Sequence, residues 1–188
     1  MREMEGKAMS IGLARGAVAL EPHNVQWELS ANMLMKKIKE ILKDDIMDVQ
    51  HIGSTSILHI YAKPIVDIAV GVSDFEKIMK YNDELKEAGI IYRREDHPGQ
   101  HLYICGDLEN NIHTHYIHVV IFGEKQWNNY INMRDYLNAH RDKAEEYSIL
   151  KLKLAKEYSE DRIAYTEGKS EFIEKILYEA NEWRKGQI

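Results

Sequence analysis

The residues of this chain that could do chemistry gather in a few places. His-Ile-Gly-Ser-Thr-Ser at 51–56 sets a glycine and three hydroxyls, Ser54, Thr55 and Ser56, directly after a strand-like run. At the start of a helix the backbone N–H groups are unpaired and the dipole favours an anion, so such a turn suits a phosphate. Gly53 lets the phosphate approach closely and Ser54 adds a hydroxyl donor. The same residues can equally serve as a helix N-cap. Asp67 stands by itself among Ile65, Val66, Ile68, Ala69 and Val70. A carboxylate in so apolar a strand has to be paired, hydrogen-bonded or metal-bound, and structural pairing competes with a functional role. Lys63 lies between the two features, held extended by Pro64. Its ammonium can meet a phosphate or sit in solvent.

Histidines form the next group: His97, His101, His113, His115 and His118 lie close together. Imidazoles at such density can bind a transition metal. On a strand, however, His113 and His115 share one face while Thr114, Tyr116 and His118 share the other. A mixed site joining His118 to Asp67 from a neighbouring strand is more plausible than a site of histidines alone. Further along, Arg134, Lys151 and Lys169 fall in helical sequence. Tyr147 and Lys151, like Tyr165 and Lys169, are four residues apart and share a helix face. These cations either line the mouth of a cleft, where they would neutralise phosphates, or form a solvated face.

The whole chain bounds these readings. Its 188 residues are enough for one domain with a proper core, and 44% hydrophobic with 30% charged residues is an ordinary globular composition. A net charge of -6 argues against broad nonspecific binding to nucleic acid. Cys105, the single cysteine, excludes an internal disulfide and a cysteine-rich zinc module, and fits a reducing cytoplasm. No apolar run approaches the roughly 18 residues needed to span a bilayer, so no membrane partner is expected. Residues 1–8 read as a loose extension, and 9–188 as one domain with strands mainly in 46–122 and a helical part over 126–185.

The positioning elements follow from periodicity. Asn24 caps a helix whose apolar residues Trp27, Leu34, Ile38, Ile41 and Leu42 recur at helical spacing. Strands are predicted at 16–20, 46–52, 65–72, 90–93, 101–105 and 115–122. Ser73 to Glu76 reads as a capping box opening a helix that stops at Gly89. Short links among the later strands predict antiparallel pairing, with residues 107–111 as a loop. Three helices then occupy about 126–139, 142–159 and 162–185. Strands in the middle and helices at the end give an α/β (α+β) sheet domain with a helical cap.

Taken in order, "WELS" near Trp27, "HIGSTSI" (51–57), "AKPIVDIAV" (62–70), "IHVV" (117–120), "MRDYL" (133–137), "YSILK" (147–151) and "YTEGKSEFI" (165–173) resemble the GrpB family of bacterial proteins. The resemblance runs from about residue 18 to about residue 180. It implies the nucleotidyltransferase superfamily fold, which includes DNA polymerase beta: a mixed β-sheet with flanking helices and a C-terminal helical cap. It also implies that Gly53 and Ser54, with Thr55 and Ser56, hold nucleotide phosphates. Asp67 would bind a divalent metal, magnesium or manganese, with His118 as metal ligand or proton carrier. Lys63, Arg134, Lys151 and Lys169 would supply charge. Two departures stand out: Ala69 occupies the place of a second acid, and "ILHIY" (57–61) replaces the Val-Pro-Gly-Leu expected there.

Three functions are therefore in competition. The first is metal-dependent transfer of a nucleoside phosphate from a nucleoside triphosphate to an acceptor. The second is a non-catalytic module binding a nucleotide or phosphometabolite. The third is a transition-metal protein built on the histidines.

Overall fold

The computed structural model describes residues 11–187, so the extension expected over residues 1–8 lies outside the described residues. Helix α1 (Val25–Leu42) starts at Asn24, whose side-chain oxygen accepts the Gln26 N–H at 2.9 Å. Trp27, Ala31, Leu34, Ile38 and Leu42 return on one side of the helix and are buried. That stripe covers one face of a six-stranded sheet made of β1 (Leu13–Ala14), β2 (Asp48–Ile52), β3 (Val66–Val72), β4 (Ile91–His97), β5 (Gln100–Asp107) and β6 (Ile112–Ile121).

The strands run in the order β2-β3-β6-β5-β4, and β1 pairs with the start of β6. Only β3 and β6 pair in parallel; every other pairing is antiparallel. Side chains alternate across the sheet. Val66, Ile68, Val70 and Val72 of β3, with Ile117 and Val119 of β6, pack in the α1 core. Asp67 and Ala69, with Tyr116, His118 and Val120, therefore project from the opposite face. This alternation puts the carboxylate outside the main core without disturbing it.

Several local expectations are corrected. Residues 16–20 do not form a strand. The N-terminal strand is Leu13–Ala14, and Gly16, at φ +98°, turns the chain away before Glu21 makes a single bridge to Ala62. Ser73 is not the cap of the next helix. Asp74 is, accepting the Glu76 N–H at 2.9 Å, while the Ser73 hydroxyl faces Lys77. That helix is also split, into α2 (Phe75–Met79) and α3 (Asn82–Glu87). Gly89 does end it, with Gly89 N–H bonded to Lys86 O and Ile90 N–H to Leu85 O.

The helical part comprises α4 (Lys125–Ala139), α5 (Arg141–Glu157), α6 (Arg162–Glu167) and α7 (Ser170–Lys185). The single helix expected over 162–185 is thus broken at Gly168. α6 packs closely on α5 there, since a Cβ on Gly168 would lie 2.7 Å from Leu154 Cδ2. α4 lies on the Asp67 face, where Trp127 packs with Ile52, Ala69 and Val120. Ile57 and Ile60, from the linker after β2, enter a separate core with Tyr136, Leu137, Tyr147 and Ile176. Among the described residues no helix is long and apolar enough to cross a membrane.

Candidate functional site

A cavity of about 540 Å³ separates the Asp67 face of the sheet from the helical part. Its floor is built by register. Ile52 of β2 pairs with Asp67, and Asp67 pairs with Tyr116, so the chain leaving β2 passes directly over the carboxylate. Gly53 is the residue that makes this passage possible. It takes φ +69°, and a Cβ there would lie 2.5 Å from Asp67 Oδ2. Asp67 Oδ1 in turn lies 3.3 Å from His118 Nε2. Asp67 keeps 28% of its side-chain surface exposed, all that a carboxylate needs to face a ligand.

The Gly-Ser turn is less than a helix start. Ser54–Ser56 form one 3-10 turn, too short to carry a helix dipole. Two of the three hydroxyls are committed inward. Thr55 is buried against His51 Nε2 at 2.9 Å, and Ser56 donates to the Gly53 carbonyl at 2.7 Å. Ser54 remains in the cavity wall, as does Tyr147. The phosphate cradle expected from three outward hydroxyls is therefore reduced to Gly53 and Ser54.

The same cavity has a cationic wall. Lys63 Nζ lies 4.4 Å and Lys169 Nζ 4.5 Å from the centroid of the Tyr165 ring, so one aromatic ring carries two ammonium groups. Burial pushes Lys63 down to about 8, and the positive charges of Lys169 and Arg162 push in the same direction. Lys169 is also lowered to about 8, chiefly by burial. Arg15 and Arg162 complete this side of the cavity. Arg134 reaches the wall too, but its guanidinium is braced by Asp135, the Gln50 side chain and the His51 carbonyl.

Lys151 stands apart from this wall. It is 2% exposed, its Nζ has no hydrogen-bond partner, and it lies 4.4 Å over the Tyr147 ring. Burial lowers it to about 7, with Lys169 adding to the effect. It therefore backs Tyr147 rather than lining the cavity.

The histidines disperse. His115 bonds Ser30 on the α1 side, His113 the Tyr116 hydroxyl, and His101 the Tyr92 hydroxyl. The side chain of His97 is outside the described residues. Among the described residues no three metal-ligating side chains converge. Asp67 and His118 are the pair that comes together, as the mixed arrangement requires.

The donor set fits one hard cation sharing its coordination with a ligand, not two ions. Asp67 is the only carboxylate in the cavity wall among the described residues. At the place of a second acid, Ala69 is fully buried with Ile52, Val120 and Trp127 around it.

Sequence reasoning passed over Arg162 and Arg15. The signal for Arg162 was available, since residues 162, 165 and 169 lie three and four apart on one helical face. Arg15 carried no signal, because only the β1–β6 pairing brings it to the cavity.

A profile for GrpB protein matches residues 17–179. The chain belongs to the GrpB family. "Glutamate-rich protein GrpB" of Alkalihalophilus pseudofirmus is 38% identical over 172 residues, covering 90% of this chain and 99% of that protein. The crystal structure of conserved protein GrpB from Enterococcus faecalis superposes with a TM-score of 0.81 at 29% identity, covering 88% of this chain and 99% of that one. The GrpB fold therefore extends over nearly all the elements that build the cavity.

Proposed function

We propose that this GrpB-family chain binds a nucleotide or another phosphorylated metabolite in the cavity, and that it transfers a nucleoside phosphate from a nucleoside triphosphate to an acceptor. One observation carries the phosphate reading: Lys63 and Lys169 share the Tyr165 ring, with Arg162 beside them, in the cavity that also holds Asp67. Cations held this close, and partly out of water, repel one another. An anion of two or more charges placed among them relieves that repulsion and accepts charge-assisted hydrogen bonds.

The phosphates would lie between this wall and the Gly53–Ser54 turn, whose glycine leaves room for close approach. A divalent ion, magnesium or manganese, held at Asp67 beside His118 would neutralise the transferred phosphoryl group and activate the attacking hydroxyl. Tyr147 and Met133 offer the rest of the ligand an apolar and aromatic surface within the same cavity.

The second reading, binding without transfer, draws on Ala69. Trp127 and Val120 close over the position that a second acid would need. Calorimetric titration with the nucleoside triphosphates, in magnesium and then manganese, tests the shared part of both readings. Metal-dependent binding by the wild type that is lost in Asp67→Asn supports the site. Heat-silent titrations of both proteins would sink it. Release of pyrophosphate in the presence of candidate acceptors then separates transfer from binding.

A further inference from the structure

His118 has a second neighbour besides Asp67. Its Nδ1 lies 3.3 Å from Gln100 Nε2, and Gln100 Oε1 lies 2.5 Å from the Tyr130 hydroxyl. Gln100 is 2% exposed, so its amide is held among protein groups. Asp67, His118, Gln100 and Tyr130 thus form one chain of polar contacts from the cavity floor to α4.

The direction of that chain can be deduced. A separation of 2.5 Å is in the range of an O–H···O bond and too short for an N–H···O bond. The Gln100 atom facing Tyr130 is therefore the amide oxygen, and the atom facing His118 is the NH₂ group, which can only donate. His118 Nδ1 must then be the acceptor and carry no proton. The neutral ring holds its proton on Nε2, which faces the carboxylate of Asp67. A carboxylate only accepts, so this end of the chain is satisfied as well. Reversing the amide would leave an unprotonated Nε2 lone pair against a carboxylate and an N–H group crowded against Tyr130.

We infer that Gln100 and Tyr130 form a tautomer lock: they fix the proton of His118 on Nε2 and so commit this histidine to donating to Asp67 rather than to binding metal. His118 and Gln100 are positioning residues in this arrangement. They hold Oδ1 of Asp67, while Oδ2 lies beneath Gly53 at the cavity floor. An ion at the site would have Asp67 as its protein ligand, with phosphate and water supplying the rest. The inference rests on the proposed reading of Asp67 as the ligand-facing group. It would let a site with a histidine favour oxygen-coordinated hard ions.

Long-range ¹H–¹⁵N correlation spectra of the full chain with ¹⁵N-labelled histidine, in EDTA and without ligand, test the lock directly. His118, assigned by its loss in His118→Gln, is expected as the neutral Nε2–H tautomer. Gln100→Glu, which replaces the donor with an acceptor, is expected to bring a proton onto Nδ1. A wild-type Nδ1–H tautomer overturns the lock, and so does a folded Gln100→Glu variant with the wild-type pattern. Should that variant not fold, the wild-type spectrum still decides.

Manganese with inorganic tripolyphosphate then probes the ion. Spin-echo modulation spectra are expected to show no directly coordinated histidine nitrogen, and a strong nitrogen coupling that disappears in His118→Gln overturns the assignment. Failure of manganese to bind at all would count against the proposed function, while the tautomer measurement would stand independently.

Discussion

Gly53 lies so close over Asp67 that a single added carbon would sit 2.5 Å from the carboxylate oxygen. The conformation of Gly53, φ +69° and ψ −170°, is one that only glycine adopts readily. Gly53→Ala is therefore expected to act twice. It should cost about 1–3 kcal/mol of stability through backbone strain. It should also displace Asp67 and abolish metal-dependent nucleotide binding, even at temperatures where the variant remains folded. Urea denaturation and calorimetry read the two effects separately.

The paired lysines predict a proton signature. At pH 8 each is near half-charged, since both lie at about 8. A bound polyanion raises their proton affinity, so binding should take up protons, by up to about one per site. Calorimetry in buffers of different ionisation enthalpy measures this uptake. Lys169→Met should lessen it and weaken binding at least about tenfold, the loss expected from one charge-assisted hydrogen bond. Binding of equal strength without proton exchange would argue against these lysines as the phosphate wall.

Lys151 separates stability from function. Its ammonium is buried without a hydrogen-bond partner, which opposes folding. Lys151→Met keeps the length and removes the charge, and should stabilise the chain by about 1 kcal/mol or more. Nucleotide affinity should change less than in Lys169→Met, because Lys151 stands behind Tyr147 rather than in the wall. Thermal unfolding and titration of the two variants side by side give the comparison.

Stability against pH carries the same lysines with a definite sign. Lys151, Lys63 and Lys169 release protons in the native state at about 7, 8 and 8, against 10.5 when unfolded. Between these values the unfolded chain binds more protons, so stability rises with pH from about 7 towards 10. His51 acts at the acid end. Burial lowers it from 6.5 to about 4, so the unfolded chain again binds more protons and stability falls as pH drops through that interval. Buried Tyr103 and Tyr165, both raised by burial, limit the gain above pH 10. Urea midpoints across the range check the profile.

Ala69→Asp asks whether a missing acid can be restored. The site is enclosed by Ile52, Val120 and Trp127, so a carboxylate there would be taken out of water in an apolar cluster. Destabilisation of roughly 3 kcal/mol, without any gain of transfer, is the expected outcome. A stable variant with new magnesium-dependent activity would show instead that the sheet face can open there.

Much of this chain was legible from its residues alone. The α1 stripe, the apolar β3 and the Gly89 stop each depend on local periodicity or backbone conformation, and those are written in consecutive residues. So was the oddity of Asp67, because any carboxylate within such a strand has to find a purpose. Other features were beyond local reading. Ser54, Thr55 and Ser56 look equivalent in sequence, yet only the packing of His51 and the Gly53 carbonyl turns two of them inward. Lys151 and Lys169 carry the same signature, a tyrosine four residues before, but one is sealed behind its ring while the other faces the cavity. Arg15, Gln100 and Tyr130 join the site only through β1–β6 and β5–β6 pairing and the placement of α4. Sequence by itself determined most of the helices and strands, and that Asp67 needed a partner. Tertiary structure decided which polar groups share one cavity, because convergence of distant residues depends on strand order and register, and neither is encoded within any one segment.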